Sequence, residues 1–492
     1  MEKAAITIDL SKVISDIDNR LYGSFIEHLG RAVYEGIYDP GNPLSDEDGF
    51  RTDVLELVKA LNIPIVRYPG GNFVSGYNWE DGVGPKDKRP VRLDLAWFTT
   101  ETNEFGLQEF DKWLKKAGSE LMLAVNLGTR GPQEARELIE YTNYPGGTYL
   151  SDLRKSHGKE EPYAIHTWCL GNEMDGRWQM GNKTPYEYGR TASEAAKLMK
   201  WIDPSIELVA CGSSSSNMST FGPWELEVLD QTYDYVDYIS LHEYYDNSDG
   251  DTPSFLAENI RMDRFIKGVE SYCDAVKAKK HSEKTMMLSF DEWNVWYHSK
   301  AHDAAMERWG RAPHRLEDVY TFEDALLVGG CLITLIKNSD RVRMACLAQL
   351  VNVIAPVCCD HDSAWAQTTY YPFLHASTYG RGKAIEVSIS CGRYDSRRHK
   401  DVPYLDSVAV LNEEKGELSV FVLNRCLDKD ITADISISSE LSGIEHIMLS
   451  GYDLHAVNTS EDPLSVVPSS KALEKGPVTF PKASWNVLRY KL

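Results

Sequence analysis

Short apolar runs alternate with longer amphipathic stretches from about residue 20 to about residue 375. The runs cover 21–29, 63–69, 121–127, 164–170, 206–211, 236–241, 286–290 and 345–354. Several are apolar at nearly every position, as expected of parallel strands buried on both faces. Helical periodicity lies between them, at 53–61, 105–117, 132–141, 185–201, 255–279 and 322–337. Pro132 and Pro185 fall where a first helical turn tolerates proline. The alternation predicts a (β/α)8 TIM barrel. An open doubly wound sheet would place a glycine-rich phosphate turn after its first strand. Here that segment reads Glu27-His28-Leu29-Gly30-Arg31, which is no such turn.

After about residue 380 the texture changes. Short strand patterns at 404–411, 418–424, 431–437, 446–449 and 485–492 are punctuated by Gly, Asn, Asp, Ser and Pro, with no long helical period. They predict a C-terminal antiparallel β-sandwich, jelly-roll-like in form. Residues 4–10 alternate in the same way and are expected to add a strand to it. The expected division is a catalytic barrel over 16–380 and an accessory sandwich from 1–15 plus 381–492.

Composition narrows the function. A chain of 492 residues, 42% hydrophobic and 26% charged, is a soluble globular protein too long for one ordinary core. A net charge of −22 repels phosphate backbones and anionic membranes, so neither nucleic acid nor membrane is an expected partner and a neutral substrate fits best. The N-terminus lacks a secretory pattern, and no apolar run is long enough to span a bilayer. The nine cysteines are scattered. Cys169, Cys211 and Cys346 lie in strand-like runs, where a thiol packs as a small core residue. A reduced, cytoplasmic protein with few or no disulfides is the expectation.

In a barrel of this kind the chemistry sits at the C-terminal strand ends. Those ends carry Glu27 and His28, then Arg67 through Asn72, Asn126, Asn172-Glu173, His242-Glu243-Tyr244, Asp291-Glu292-Trp293-Asn294-Val295-Trp296, and Gln349 with Asn352. Acids, amides, a guanidinium, an imidazole, phenols and indoles together suit a sugar, with hydrogen-bonding groups for hydroxyls and flat faces for C–H surfaces. Glu173 and Glu292 each end an apolar run, and two opposed carboxylates are the minimum for cleaving a glycosidic bond. Trp97 and Trp296 are placed at the barrel mouth; Trp113 and Trp201, on helical faces, read as core. No Walker loop, dinucleotide fingerprint or Gly-x-Ser-x-Gly elbow is present. Cys358-Cys359-Asp360-His361 has the wrong spacing for a zinc knuckle, and no metal or cofactor is expected. The rival readings are another retaining barrel glycosidase, such as a xylosidase or endoglucanase, a metal-dependent sugar isomerase, and a non-catalytic carbohydrate-binding protein.

These motifs resemble the family 51 α-L-arabinofuranosidases. The resemblance is carried by Gly23-Ser24-Phe25-Ile26-Glu27-His28, Arg67-Tyr68-Pro69-Gly70-Gly71-Asn72-Phe73, Trp168-Cys169-Leu170-Gly171-Asn172-Glu173, Leu241-His242-Glu243-Tyr244-Tyr245 and Asp291-Glu292-Trp293-Asn294, spread over most of the barrel. It implies an intracellular, exo-acting, retaining enzyme that removes terminal arabinofuranosyl residues from arabinoxylan- or arabinan-derived oligosaccharides. Carried over residue by residue, Glu173 is the acid/base and Glu292 the nucleophile. Glu27, Arg67, Asn72, Asn172, Tyr244 and Gln349 bind the sugar or hold the carboxylates, His242 sits beside the pair, and Trp97 and Trp296 wall the pocket. The resemblance also implies a homo-oligomer, often a hexamer. The long segment from Trp296 to Arg315 is expected to form a lid that favours terminal residues.

Overall fold

The computed structural model describes residues 2–492. Eight strands close a parallel barrel in chain order: Gly23–Phe25, Ile65–Tyr68, Glu120–Val125, Thr167–Leu170, Glu207–Ala210, Tyr238–Tyr245, Met287–Val295 and Val342–Ala348. These are called barrel strands one to eight below. Parallel strands covered by helices have no solvated face, which accounts for their unbroken apolar runs. The barrel interior is filled by Phe25, Ile65, Met122, Cys169, Val209, Met344 and Cys346 among others. Cys169 and Cys346 are thus packed inside the barrel itself. At Gly23 a Cβ would lie 2.7 Å from the Ala345 carbonyl, so strand one can sit this close to strand eight only as glycine.

Six helices match the periodic stretches, at Thr52–Ala60, Leu107–Ala117, Pro132–Asn143, Pro185–Ile202, Asn259–Lys279 and Phe322–Lys337. Two helices of the outer ring carry weak periodicity and were not expected: Pro223–Thr232, between strands five and six, and Tyr370–Tyr379, which follows strand eight. Both are only ten residues long, so a short window shows little amphipathic contrast. Trp113 is fully buried, as expected, but Trp201 is 74% exposed with Lys197 over its ring. It lies off the buried stripe of Tyr188, Ala192, Ala195 and Met199, on the solvent face one turn beyond Lys197.

The accessory unit is one coiled sheet of nine strands. Its order is Ser469–Ala472, Ser442–Leu449, Ser484–Lys491, Glu417–Asn424, Leu405–Asn412, Lys383–Ser390, Glu2–Asp16, Ile431–Ile437 and Val478–Phe480. Pairing is antiparallel throughout except between Glu2–Asp16 and Ile431–Ile437. Ile6, Ile8, Ile431 and Phe480 from one end share a core with Leu418, Val420 and Leu488 from the other, so the sheet folds over itself as a sandwich. Its opposite face, with Phe421, Leu423, Trp485 and Val487, joins the barrel core over helix Phe322–Lys337. That helix is covered on every side, which explains its nearly continuous apolar sequence. Among the described residues, no helix is long and apolar enough to cross a membrane.

Candidate active site

The C-terminal mouth of the barrel holds a cavity of about 440 Å³. Glu27, Asn72, Trp97, Glu173, Tyr244, Glu292, Trp296 and Gln349 line it. Arg67, Asn172 and His242, the other residues singled out in the sequence, stand directly behind this wall.

Two backbone devices aim the acids. After strand four the chain passes through Gly171 (φ +88°) to Glu173 (φ +46°). A left-handed conformation at a non-glycine residue costs about 1 kcal/mol or more and is retained where the surrounding structure demands it. Here it turns the Glu173 carboxylate over the mouth. Strand seven carries Glu292 within its length, at a register shift against both neighbouring strands. Such bulges re-aim side chains.

Arg67, fully buried on strand two, spans the two acids' supports. One guanidinium nitrogen donates to Glu292 Oε1 at 2.6 Å and another to Asn172 Oδ1 at 2.7 Å, while the group lies 4.8 Å over the Phe25 ring. Tyr244 OH donates to Glu292 Oε2 at 2.9 Å. His242 is the cross-strand partner of Glu292, and its Nδ1 lies 2.9 Å from Glu173 Oε1 and 3.6 Å from Glu292 Oε2. One oxygen of each acid and a His242 ring nitrogen all fall within 4.8 Å of one another. The acids therefore share one cavity, with only 9% and 5% exposure.

Their surroundings divide the charges. Burial opposes ionisation of Glu292, but His242, Arg67 and Tyr244 together bring its pKa below the ordinary carboxylate value. Burial likewise opposes charge on His242, and the carboxylates of Glu292 and Glu173 override it, carrying the imidazole up to about 9. Glu27 behaves in the opposite sense. Burial pushes it up to about 8 despite donation from the Phe73 amide at 2.8 Å and the Trp97 indole at 2.9 Å. Gln349 pairs with Glu27 from the far side of the barrel seam, accepting its backbone N–H at 3.0 Å. Asn172 and Gln179 both donate to Asn72 Oδ1.

Glu173, His242 and Glu292 also have the composition of a metal-binding set. The local chemistry argues against that use. The Arg67 guanidinium already pairs with Glu292 Oε1 at 2.6 Å, a position that a metal cation would have to share with a fixed positive charge.

Comparison with known proteins identifies the family. Residues 57–265 match the α-L-arabinofuranosidase 1 domain, and residues 291–484 match the α-L-arabinofuranosidase C-terminal domain. The chain is 57% identical to an intracellular exo-α-(1→5)-L-arabinofuranosidase of Halalkalibacterium halodurans, over 99% of this chain and 98% of that one. It is 56% identical to intracellular exo-α-(1→5)-L-arabinofuranosidase 1 of Bacillus subtilis, over 100% and 99%. A solved family 51 α-L-arabinofuranosidase from Bifidobacterium longum superposes with a TM-score of 0.95, at 44% identity and 99% coverage of both chains. The chain belongs to the family 51 α-L-arabinofuranosidases.

In this family 51 chain the pocket also contains residues that the sequence did not single out. Trp178 donates its indole N–H to Glu173 Oε2 at 2.7 Å. Leu29, Gly71, Ser214, Leu316 and Ile354 complete the lining. Leu29 and Ile354 close apolar runs that were read only as strand, whereas Ser214 and Leu316 come from loops that neither strand period nor motif marks. The segment after Trp296 contains a short helix, Lys300–Ala304, and then latches onto the hairpin that carries Trp97. Trp309 packs edge-on against Phe98 at 5.9 Å and donates its amide to the Phe98 carbonyl at 2.6 Å.

Proposed function

We propose that this chain is a retaining, exo-acting α-L-arabinofuranosidase in which Glu292 is the nucleophile and Glu173 the acid/base. The observation that carries this reading is the meeting of the two carboxylates in one cavity with unequal cationic support. Glu292 is held ionised between Arg67 and Tyr244, and Glu173 has no cationic guanidinium of its own. A Glu292 oxygen attacks the anomeric carbon as Glu173 protonates the departing oxygen, leaving a glycosyl ester. Glu173 then takes a proton from water, whose oxygen displaces Glu292 from the same face. Two inversions retain the anomeric configuration. His242⁺ beside both acids offsets the charge that moves between them. Glu27, protonated at neutral pH, donates to a sugar hydroxyl, and Asn72, Asn172 and Gln349 take others. Trp97 and Trp296 close the sides, and the latched segment above them leaves room for a terminal residue rather than a threaded chain.

Both named relatives cleave α-(1→5) links, so short α-(1→5)-arabino-oligosaccharides are the proposed substrates, met in the cytoplasm. Release of L-arabinose with its α anomer formed first, followed by NMR, tests the activity; release of another sugar or initial β product would overturn it. Glu292→Ala should remove at least about 10⁴-fold of the turnover while the fold persists. Glu173→Ala should lose far more on oligosaccharides than on aryl glycosides with good leaving groups. Equal losses on both would contradict the acid role. A homo-oligomer is also expected. Val91, Leu93 and Leu95, each more than half exposed, give one hairpin edge an apolar face suited to a second copy. Light scattering that finds only monomer at micromolar concentration would remove this expectation.

A further inference from the structure

The loop after Glu173 carries a side chain with an unusual combination of constraints. Trp178 is 53% exposed, yet its ring lines the cavity and its N–H donates to Glu173 Oε2. The backbone is pinned on both sides of it. Gly176 N–H donates to the Glu173 carbonyl at 2.8 Å and Gln179 N–H to the Gly176 carbonyl at 3.0 Å. The Gln179 side chain is tied to Asn72 and Ser75, and the Lys183 ammonium donates to the carbonyls of Leu127, Gly128 and Gly181. Arg177 and Trp178 are the exposed side chains of this stretch, and of the two Trp178 is the one that lines the cavity. Its seat is Gly176, where a Cβ would lie 2.4 Å from the indole Cε2 and 2.5 Å from Cζ2.

Glu173 therefore has both oxygens engaged. Oε1 faces His242, buried behind the wall, and Oε2 faces the cavity and accepts from the indole. An acid catalyst must carry its proton on the oxygen that meets the glycosidic oxygen, and a carboxyl O–H is a donor. The indole N–H occupies that position with a second donor.

We infer that Trp178 is a positioning residue that locks Glu173 in the resting site and is unseated by the leaving-group sugar. The incoming ring takes the exposed indole face, the indole swings off Gly176, and Oε2 is released to hold its proton against the glycosidic oxygen. When the leaving group departs, Glu173 is ionised, and the carboxylate again suits the indole N–H. This inference rests on Glu173 as the acid/base. The other ionisable groups facing Glu173 are His242 and Glu292 across the cavity and Asp175 in its own loop, and none is altered by the variants below.

The test compares kcat/KM–pH profiles on an α-(1→5)-arabino-oligosaccharide. Trp178→Phe keeps an aromatic face and removes the N–H; its basic limb should move upward by about one pH unit, since a donor to the charged form has been removed. Gly176→Ala keeps the indole but evicts it, and should move the limb in the same direction while raising KM several-fold. Profiles on an activated aryl glycoside, which needs little acid assistance, should move much less. A Trp178→Phe limb that stays in place, with only KM changed, overturns the lock and leaves Trp178 as a wall. Glu173→Gln separates the two claims. If it abolishes the basic limb, the acid assignment stands whatever Trp178 does, and if the limb survives, that assignment fails first. Should Gly176→Ala not fold, the Trp178→Phe profile alone decides.

Discussion

Arg67 shows how one side chain organises the site. Its planar fork reaches Glu292 and Asn172 at once, a bidentate geometry that lysine cannot reproduce. His242 adds a positive charge that depends on pH. Burial favours the neutral ring, but Glu292 and Glu173 bring its pKa to about 9, against an ordinary value of 6.5. The native state thus holds this proton more tightly than the unfolded chain. The associated stability is complete below pH 6.5 and disappears as pH rises through about 9. Glu27, raised from 4.5 to about 8, contributes with the same sign over its own window. Thermal melts of His242→Gln between pH 6 and 10 should therefore show a flatter alkaline decline than the parent protein. An unchanged slope would mean that His242 is not charged in the native site. The identities of these residues were legible in the sequence because they stand at strand ends. Trp178 was not, because a tryptophan in an irregular loop has no period to place it, and only folding brings its N–H to Glu173.

At the scale of elements, the parallel strands and long helices follow from pattern alone, whereas their ends and fine geometry do not. The register shift at Glu292 and the left-handed turn at Glu173 decide where the acids point, yet both are invisible in hydrophobic periodicity. The short outer helices Pro223–Thr232 and Tyr370–Tyr379 were missed for the same reason. Helix Phe322–Lys337 illustrates the reverse case, since its unbroken apolar sequence records burial between two units. Gly329 on this helix lets the Trp485 ring approach so closely that a Cβ would lie 2.5 Å from Cε3. Gly329→Ala should accordingly destabilise the protein by about 1–3 kcal/mol through overpacking, despite the better helix propensity of alanine. Chemical denaturation would measure it, and a stabilised variant would show that the sheet yields.

Across the whole molecule, the coiled sheet is fastened to the barrel by buried charge as well as by apolar packing. Asp406 accepts from Arg425 at 2.6 Å and from Asn259 at 2.9 Å, and pairs with Lys337 at the end of the central helix. Burial raises its pKa, but the two cations override this and hold it well below the ordinary carboxylate range. Its contribution to stability is present above pH 3.8 and is lost as pH falls toward the depressed value. Asp406→Asn, which leaves the buried Arg425 guanidinium uncompensated, should cost about 3–5 kcal/mol and weaken acid dependence. Differential scanning calorimetry at pH 7 and at about pH 2 would check both effects, and a loss below about 1 kcal/mol at pH 7 would show that the junction is held by packing alone. The N-terminal strand, expected to join the distant C-terminal sheet, pairs there with Lys383–Ser390 and Ile431–Ile437, so the two ends of the chain meet in one sheet.

Hydrophobic period and strand-end chemistry were enough to determine the barrel and the sheet and to place Glu173 and Glu292 at strand ends, because burial on two faces, burial on one face and carboxylates at strand tips each leave a local trace. What tertiary structure alone decided is the distance between those acids, the sharing of Arg67 and His242 between them, and the seat of Trp178 on Gly176. These depend on barrel closure and backbone turns that bring residues far apart in sequence within a few ångströms, and such proximity leaves no periodic mark along the chain.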